Sequence, residues 1–222
     1  MTILDFDEIN KIVEASVKTQ TEDEVVETIR GLLKNAYERA VLDMDEEFDF
    51  IYLYYPEMLG IAMEKPIKGL TWEQRVRSWY KGINPNAHDV TSKTSDGGYY
   101  PPEEGKTGKP QEENDGAVLG IPDIEAIQRV AETEYHRMYN TGAYDVATEM
   151  GKQGYTMSKV WVTMGDEKVR STHEYIDGMA VPLDEAFFTY DGDSAMFPGG
   201  FADPSNNVNC RCWLEYISEG TL

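Results

Sequence analysis

A stretch of thirty residues near the middle of the chain, residues 91–120, most limits what the sequence can fold into. It holds six glycines and three prolines but almost no aliphatic side chains. Such a composition cannot bury enough apolar surface to offset the entropy lost on ordering. We therefore predict a flexible loop in residues 91–120, between an N-terminal helical module in residues 1–90 and a second module in residues 121–222.

Helical periodicity dominates the first module. Apolar residues recur at helical spacing through residues 21–43, which predicts one long helix. Thr21 and Glu24 at its start have the spacing of a capping box. A shorter helix is predicted around residues 7–18, and a third is predicted to begin after Thr71, a residue type that caps helices well.

The second module changes from helical to strand-like patterns along its length. A helix is predicted from Pro122, followed by a second, shorter helix within residues 140–154 that ends at a glycine. Three β-branched or aromatic runs then predict strands, in residues 155–164, 179–183 and 210–217. Helices followed by a small sheet indicate an α+β fold. We expect the Gly- and Pro-rich residues 191–206 to add little to the core.

The chain is strongly acidic, with a formal net charge of −21. No part of it is basic, so nucleic acid and anionic membranes are poor direct partners. The acidic N-terminus lacks the apolar segment of a secretory signal, and no run of 18 apolar residues is present. With only two cysteines, we expect the chain to fold in a reducing cytoplasm.

An aromatic cluster lies in residues 48–55, behind several acidic side chains. Burial in the core is one interpretation. The other is a surface that binds a partner, since aromatic residues are enriched at the centres of protein interfaces. On that second interpretation Phe50, Tyr52 and Tyr54 are the candidate contact residues.

The two cysteines are Cys210 and Cys212, separated by Arg211. In an extended segment both thiols point to the same side, where they could share a metal such as zinc with further ligands. His173 is the best candidate for the third ligand. The alternative is that the thiols are small buried apolar groups and that the histidine makes a structural hydrogen bond.

Two further residues are weaker candidates for a fourth ligand, Asp177 and His136. Arg211 would point to the opposite side of the segment, where it could pair with Asp166 or Asp184. Glu134 lies three residues before Arg137 on the predicted helix, which suggests an ion pair on one helix face.

Residues 120–217 carry these features in an order that resembles the Mu F-like minor head proteins of tailed phages, the phage head morphogenesis family. The resemblance rests on Thr133-Glu134, Trp161, Asp166, Arg170, His173, Asp177-Gly178, Phe187 or Phe188, Pro204 and the terminal Cys-Arg-Cys. It implies a minor structural protein of the virion that binds the portal protein during head assembly in the host cytoplasm, without an established enzymatic activity. A scaffold or major capsid protein is a further partner that this role allows.

Two other functions compete with this one. A metal-dependent hydrolase, for instance a nuclease, could use His173, Cys210 and Cys212 as ligands and Glu174 as a general base. A toxin or effector is the third hypothesis, because this head domain can be fused to toxin domains. The chain offers little room for such a domain after Leu222, so we rank it last.

Overall fold

The computed structural model describes residues 6–44, 51–66, 69–83, 85 and 121–221. The α+β fold is confirmed: helices come first, and small antiparallel sheets follow. The elements are α1 Phe6–Thr19, α2 Glu22–Met44, α3 Ile51–Glu64, α4 Trp72–Tyr80, α5 Ile124–Lys152, β1 Tyr155–Val162, α6 Ser171–Glu174, β2 Ala180–Pro182, β3 Phe187–Phe188, β4 Ser194–Ala195, a 3-10 turn Pro204–Asn206 and β5 Trp213–Thr221.

The predicted helix starts are confirmed at α2 and α4. At α4 the capping box is complete, because Thr71 and Gln74 each bond the other's backbone N–H through the side chain. Before α2 the Glu24 carboxylate accepts a hydrogen bond of 2.8 Å from the backbone N–H of Thr21. These local bonds satisfy backbone groups that a helix end leaves without partners.

Helix α5 forms the centre of the helical part, with α1, α2, α3 and α4 packed against it. Its apolar face, which includes Ile127, Ala131 and Met138, joins residues of the first four helices in one hydrophobic core. Chain segments on both sides of residues 91–120 therefore contribute to the same core. No helix within the described ranges has the length and apolar character needed to cross a membrane.

The second module has one long helix where the sequence predicted two. Helix α5 runs for 29 residues without a break, and it ends just before Gly154, whose φ of 98° favours glycine. Gly142 lies inside the helix: a Cβ atom there would be 2.8 Å from the carbonyl oxygen of Tyr37 on α2. This glycine therefore allows the two helices to approach closely and does not end either one.

The three predicted strand runs form one antiparallel sheet in the order β2-β1-β5. Strand β5 pairs with β1 over its whole length, with Trp161 opposite Leu214. The last strand begins at Trp213, so the expectation that Cys210 and Cys212 belong to it is wrong. They lie in the segment that leads into β5. The short strands β3 and β4 form a separate two-stranded sheet.

The aromatic cluster and the predicted loop cannot be compared with the structure. Phe50 and residues 91–120 lie outside the described residues. Tyr52 and Tyr54 belong to the first turn of α3, but their side chains are outside what the structure describes. Their role in partner binding stays a prediction.

A buried carboxylate connects α4 with α5. Glu134 is fully buried, and one of its oxygens pairs with Arg75 on α4. Its other oxygen accepts a hydrogen bond of 2.7 Å from Nε of Arg137, as the spacing of the two residues predicted. These arginines keep the pKa of Glu134 below its ordinary value, although burial alone would raise it. The carboxylate is therefore ionised at neutral pH.

Glu134→Gln should lower the free energy of unfolding by about 3–5 kcal/mol, because the change leaves buried arginine charge without its anion. Glu125→Gln is the matched control, since Glu125 is exposed in the first turn of the same helix. Urea denaturation of both variants measures the difference. A loss below about 1 kcal/mol for Glu134→Gln would contradict the structural role of this ion cluster.

Candidate metal centre

His173 lies in the short helix α6, in the connection between β1 and β2. Its side chain is buried, and its ring stacks on Phe201 with ring centres 5.2 Å apart. Trp161 meets the same ring edge-on at 5.5 Å. The aromatic neighbours hold the imidazole in one orientation, with Nδ1 toward the cysteines.

Phe201 reaches the histidine from a segment that was expected to add little to the core. That expectation is wrong, since Ala195, Phe197 and Phe201 are all buried in a second hydrophobic core with Trp161. The carboxylate of Asp193 organises the segment. It accepts hydrogen bonds from the backbone N–H groups of residues 194, 202 and 203 and from the side chain of Asn206. A polar loop anchor thus places an aromatic residue in the core.

The two cysteines alternate with Arg211 in the segment before β5. Both thiols are buried at 3% exposure, while the guanidinium of Arg211 points outward and makes two bonds to Asp166, of 2.6 and 2.7 Å. This is the arrangement that the alternation of the three residues predicted. The outward ion pair fixes the segment so that both sulfurs face inward.

The three side chains His173, Cys210 and Cys212 come together as a group. Nδ1 of the imidazole lies 3.3 Å from Sγ of Cys212 and 3.7 Å from Sγ of Cys210. Zinc bonds of about 2.3 Å to sulfur and about 2.0–2.1 Å to nitrogen, at a tetrahedral angle, place the two ligand atoms about 3.5 Å apart. The two observed nitrogen–sulfur separations lie on either side of that value, and all three ligand atoms lie within 4.8 Å of one another, as a shared ion requires.

Neither predicted fourth ligand joins the group. Asp177 is exposed, and its carboxylate accepts a hydrogen bond of 2.8 Å from the backbone N–H of Thr163. Nε2 of His136 lies 2.5 Å from the carbonyl oxygen of Cys212, and burial lowers its pKa, so this ring is neutral. Among the described residues, the group of possible ligands consists of one histidine and two cysteines.

A small cavity borders the group and has room for about one water molecule. Water is therefore a fourth ligand that the site could accommodate. The cavity is lined by backbone and side-chain atoms of Met164, Lys168, Val169, Arg170, Asn209 and Arg211 in addition to the three donors. Three protein ligands with water in the fourth position is the ligand count of catalytic zinc, but the donors here are buried and the cavity is too small to admit a substrate.

The two thiols differ in acidity. A hydrogen bond from the Cys212 side chain lowers the pKa of Cys210, and the same bond raises the pKa of Cys212. Cys210 is therefore the thiol that ionises first, and Cys212 donates the proton between them. A thiolate is the form that binds a metal.

The sequence analysis did not single out Lys159, which is fully buried beside this second core. Its Nζ donates a hydrogen bond of 2.9 Å to the carbonyl oxygen of Met196 and lies 4.8 Å from the ring centre of Tyr144. Burial lowers the pKa of Lys159 to about 8. A signal was present in the sequence, because residues 157, 159 and 161 share the inward face of a strand with period two.

The stability contributed by Lys159 should depend on pH. Its folded pKa of about 8 is below the ordinary value of 10.5, so between these values the unfolded chain binds more protons than the folded chain. Stability therefore rises with pH in this window, with a slope below the roughly 1.4 kcal/mol per pH unit of one full proton.

Lys159→Met should remove this dependence. Urea denaturation at pH 7.5, 8.5 and 9.5 should show the stability of the unaltered chain rising relative to the variant. Lys152→Met serves as the control, because Lys152 is exposed at the end of α5. Parallel pH profiles for the unaltered chain and Lys159→Met would contradict the assignment.

Comparisons with known proteins identify relatives of this chain. The family model described as "Phage Mu protein F like protein" matches residues 105–215, which is half of the chain and includes all three donors. The minor head protein GP7 of Bacillus phage SPP1 is 32% identical over 92 residues, which cover 41% of this chain and 30% of that protein. An NAD(+)–arginine ADP-ribosyltransferase, EFV of Enterococcus faecalis (strain ATCC 700802 / V583), is 35% identical over 92 residues, covering 41% of this chain and 19% of that protein.

The chain thus spans less than a third of the length of each of these curated relatives. No solved structure matches the chain with comparable significance.

Proposed function

Because the chain belongs to the phage Mu protein F-like family, we propose that it works as a minor head morphogenesis protein of a tailed phage or prophage. It binds the portal protein during assembly in the host cytoplasm and is present inside the capsid in few copies. The observation that carries the proposal is the family match over residues 105–215, together with the similarity to a minor head protein.

A structural role fits the site better than the alternative of a metal-dependent hydrolase. The donors His173, Cys210 and Cys212 are all buried, and the cavity beside them has room for about one water molecule. Glu174, the candidate general base, is exposed at the end of α6. The small cavity at the buried donors does not support hydrolase activity. The match to the ADP-ribosyltransferase covers only 19% of that enzyme, so it does not support transferase activity in this chain.

The portal protein is the proposed partner, and a scaffold or major capsid protein is a further one. The N-terminal helices and the aromatic cluster with Phe50, Tyr52 and Tyr54 supply the contact surface in this proposal. Aromatic side chains bury a large area with few rotatable bonds, which is why they recur among the residues that dominate binding energy. The acidic surface makes a direct contact with DNA unfavourable.

The chain should co-purify with the portal protein encoded beside it when the two are produced together. Replacing both Tyr52 and Tyr54 by alanine should abolish co-purification, since truncations of central aromatic residues typically cost about 2 kcal/mol or more each. Ile217→Ala is the control, because Ile217 is exposed on β5, outside the N-terminal helices. Unaltered binding by the double variant would place the contact elsewhere, and the absence of any binding by the unaltered chain would overturn the proposed partner.

Zinc is the metal that the donor set favours, because thiolates and imidazole are its usual ligands in proteins. In this proposal Nδ1 of His173 and the sulfurs of Cys210 and Cys212 hold the ion. The site then connects the segment after β1 with the segment that enters β5. When bound, the ion would cross-link these two segments, and its binding energy would add to folding.

Purified chain should contain about one zinc ion per molecule by mass spectrometry. Cys210→Ser should release the metal and lower the melting temperature, because metal binding is coupled to folding. Glu174→Gln is the matched control: it lies next to His173 but leaves the donor set intact. If the protein is free of metal and a chelator leaves its melting temperature unchanged, the three side chains form a cluster held by hydrogen bonds and packing alone.

A further inference from the structure

Three aromatic side chains of the C-terminal module are exposed and are not used by the metal centre. Tyr175, Phe188 and Tyr190 have exposures of 58%, 62% and 59%. Large aromatic side chains exposed together on one surface mark sites of interaction more often than isolated ones do. We call these three residues the aromatic patch.

The patch is held in place by contacts among its own residues and their neighbours. The rings of Tyr175 and Tyr190 meet edge-to-face with centres 5.8 Å apart, and the Tyr190 hydroxyl lies 2.7 Å from Oγ of Ser171. Phe187 and Thr189 are buried, so the alternation along this segment directs Phe188 and Tyr190 outward on the same side. The two tyrosine rings are therefore arranged before any partner binds, which reduces the entropy lost on binding.

The segment that carries the patch is acidic, and Arg170, which precedes it, donates to the carbonyl oxygen of Val208. Residues 171–196 contain no lysine or arginine, while acidic residues are frequent among them. Those that are exposed are Glu174, Asp177, Asp184, Glu185 and Asp191. Two of them, Glu174 and Asp191, directly adjoin the tyrosines of the patch in the chain.

We propose that the aromatic patch binds an arginine- or lysine-rich segment of a partner protein. A guanidinium or ammonium group can lie over a tyrosine or phenylalanine ring, and the neighbouring carboxylates can pair with the same cation. An uncharged apolar partner would leave these carboxylates poorly solvated, and nucleic acid would be repelled by them. This proposal rests on the proposed function in one respect: it takes the partner to be a protein of the phage head.

The probe for the test is a blocked peptide of alternating glycine and arginine that carries three arginines. It is titrated into the full-length chain at physiological salt and followed by NMR of the protein and by fluorescence anisotropy of the labelled peptide. Binding should shift the signals of residues 171–191. The variant that replaces Tyr175 and Tyr190 by alanine should bind at least about fivefold more weakly, because two rings are lost while the net charge is unchanged.

Two controls separate the patch from general attraction to an acidic protein. Ile217→Ala removes an apolar side chain of comparable exposure on β5 and should leave the affinity within about twofold. Tyr190→Phe keeps the ring and should bind like the unaltered chain. Melting temperatures verify that each variant is folded, which is expected because the changed side chains are exposed.

The proposal is overturned if the double variant and Ile217→Ala bind the peptide equally well, or if the NMR shifts spread evenly over the acidic surface. The titration contains no portal protein, so its result is independent of the co-purification experiment. A chain that binds the peptide at the patch but does not co-purify with the portal protein would overturn the proposed partner and support the patch.

Discussion

The buried carboxylate of Glu134 is the interaction on which the packing of α3, α4 and the loop after β4 against α5 depends. It pairs with Arg75 of α4 and Arg137 of α5, and Arg137 in turn donates to the carbonyl oxygen of Ala62 on α3. The aliphatic part of Arg137 also lies against Gly199, where a Cβ atom would be only 2.9 Å away. One charge thus connects three helices and the loop that follows β4.

Helix α5 carries this connection from the helical core to the metal centre. Nearly two turns after Glu134, Asn140 donates to the carbonyl oxygen of His136, and the ring of His136 contacts the carbonyl oxygen of Cys212. The cysteine segment is therefore held on one side by α5 and on the other by the outward pair of Arg211 with Asp166. Because both contacts lie outside the donor set, the sulfurs can face His173 whether or not an ion is bound.

Features that depend on short-range rules could be predicted from the sequence. The helix starts at Thr21 and Thr71, the α+β order and the inward direction of both cysteines all follow from spacing within a few residues. The continuous helix through Gly142 and the burial of Lys159 could not be derived in this way. Both depend on contacts with residues far away in the sequence. Gly142 packs against the backbone of Tyr37, and Lys159 donates to the carbonyl oxygen of Met196. Local patterns do not carry that information.

The position of β5 affects whether identical molecules can pair with one another. Within the described residues it is an outer strand of the sheet, so one side of its backbone has no neighbouring strand. Such an edge can recruit another strand and lead to uncontrolled polymerisation. Here the exposed Glu215 lies on that strand, and the net charge of −21 opposes the meeting of two like molecules. Electrostatic repulsion between like molecules therefore works against pairing of this strand edge between copies.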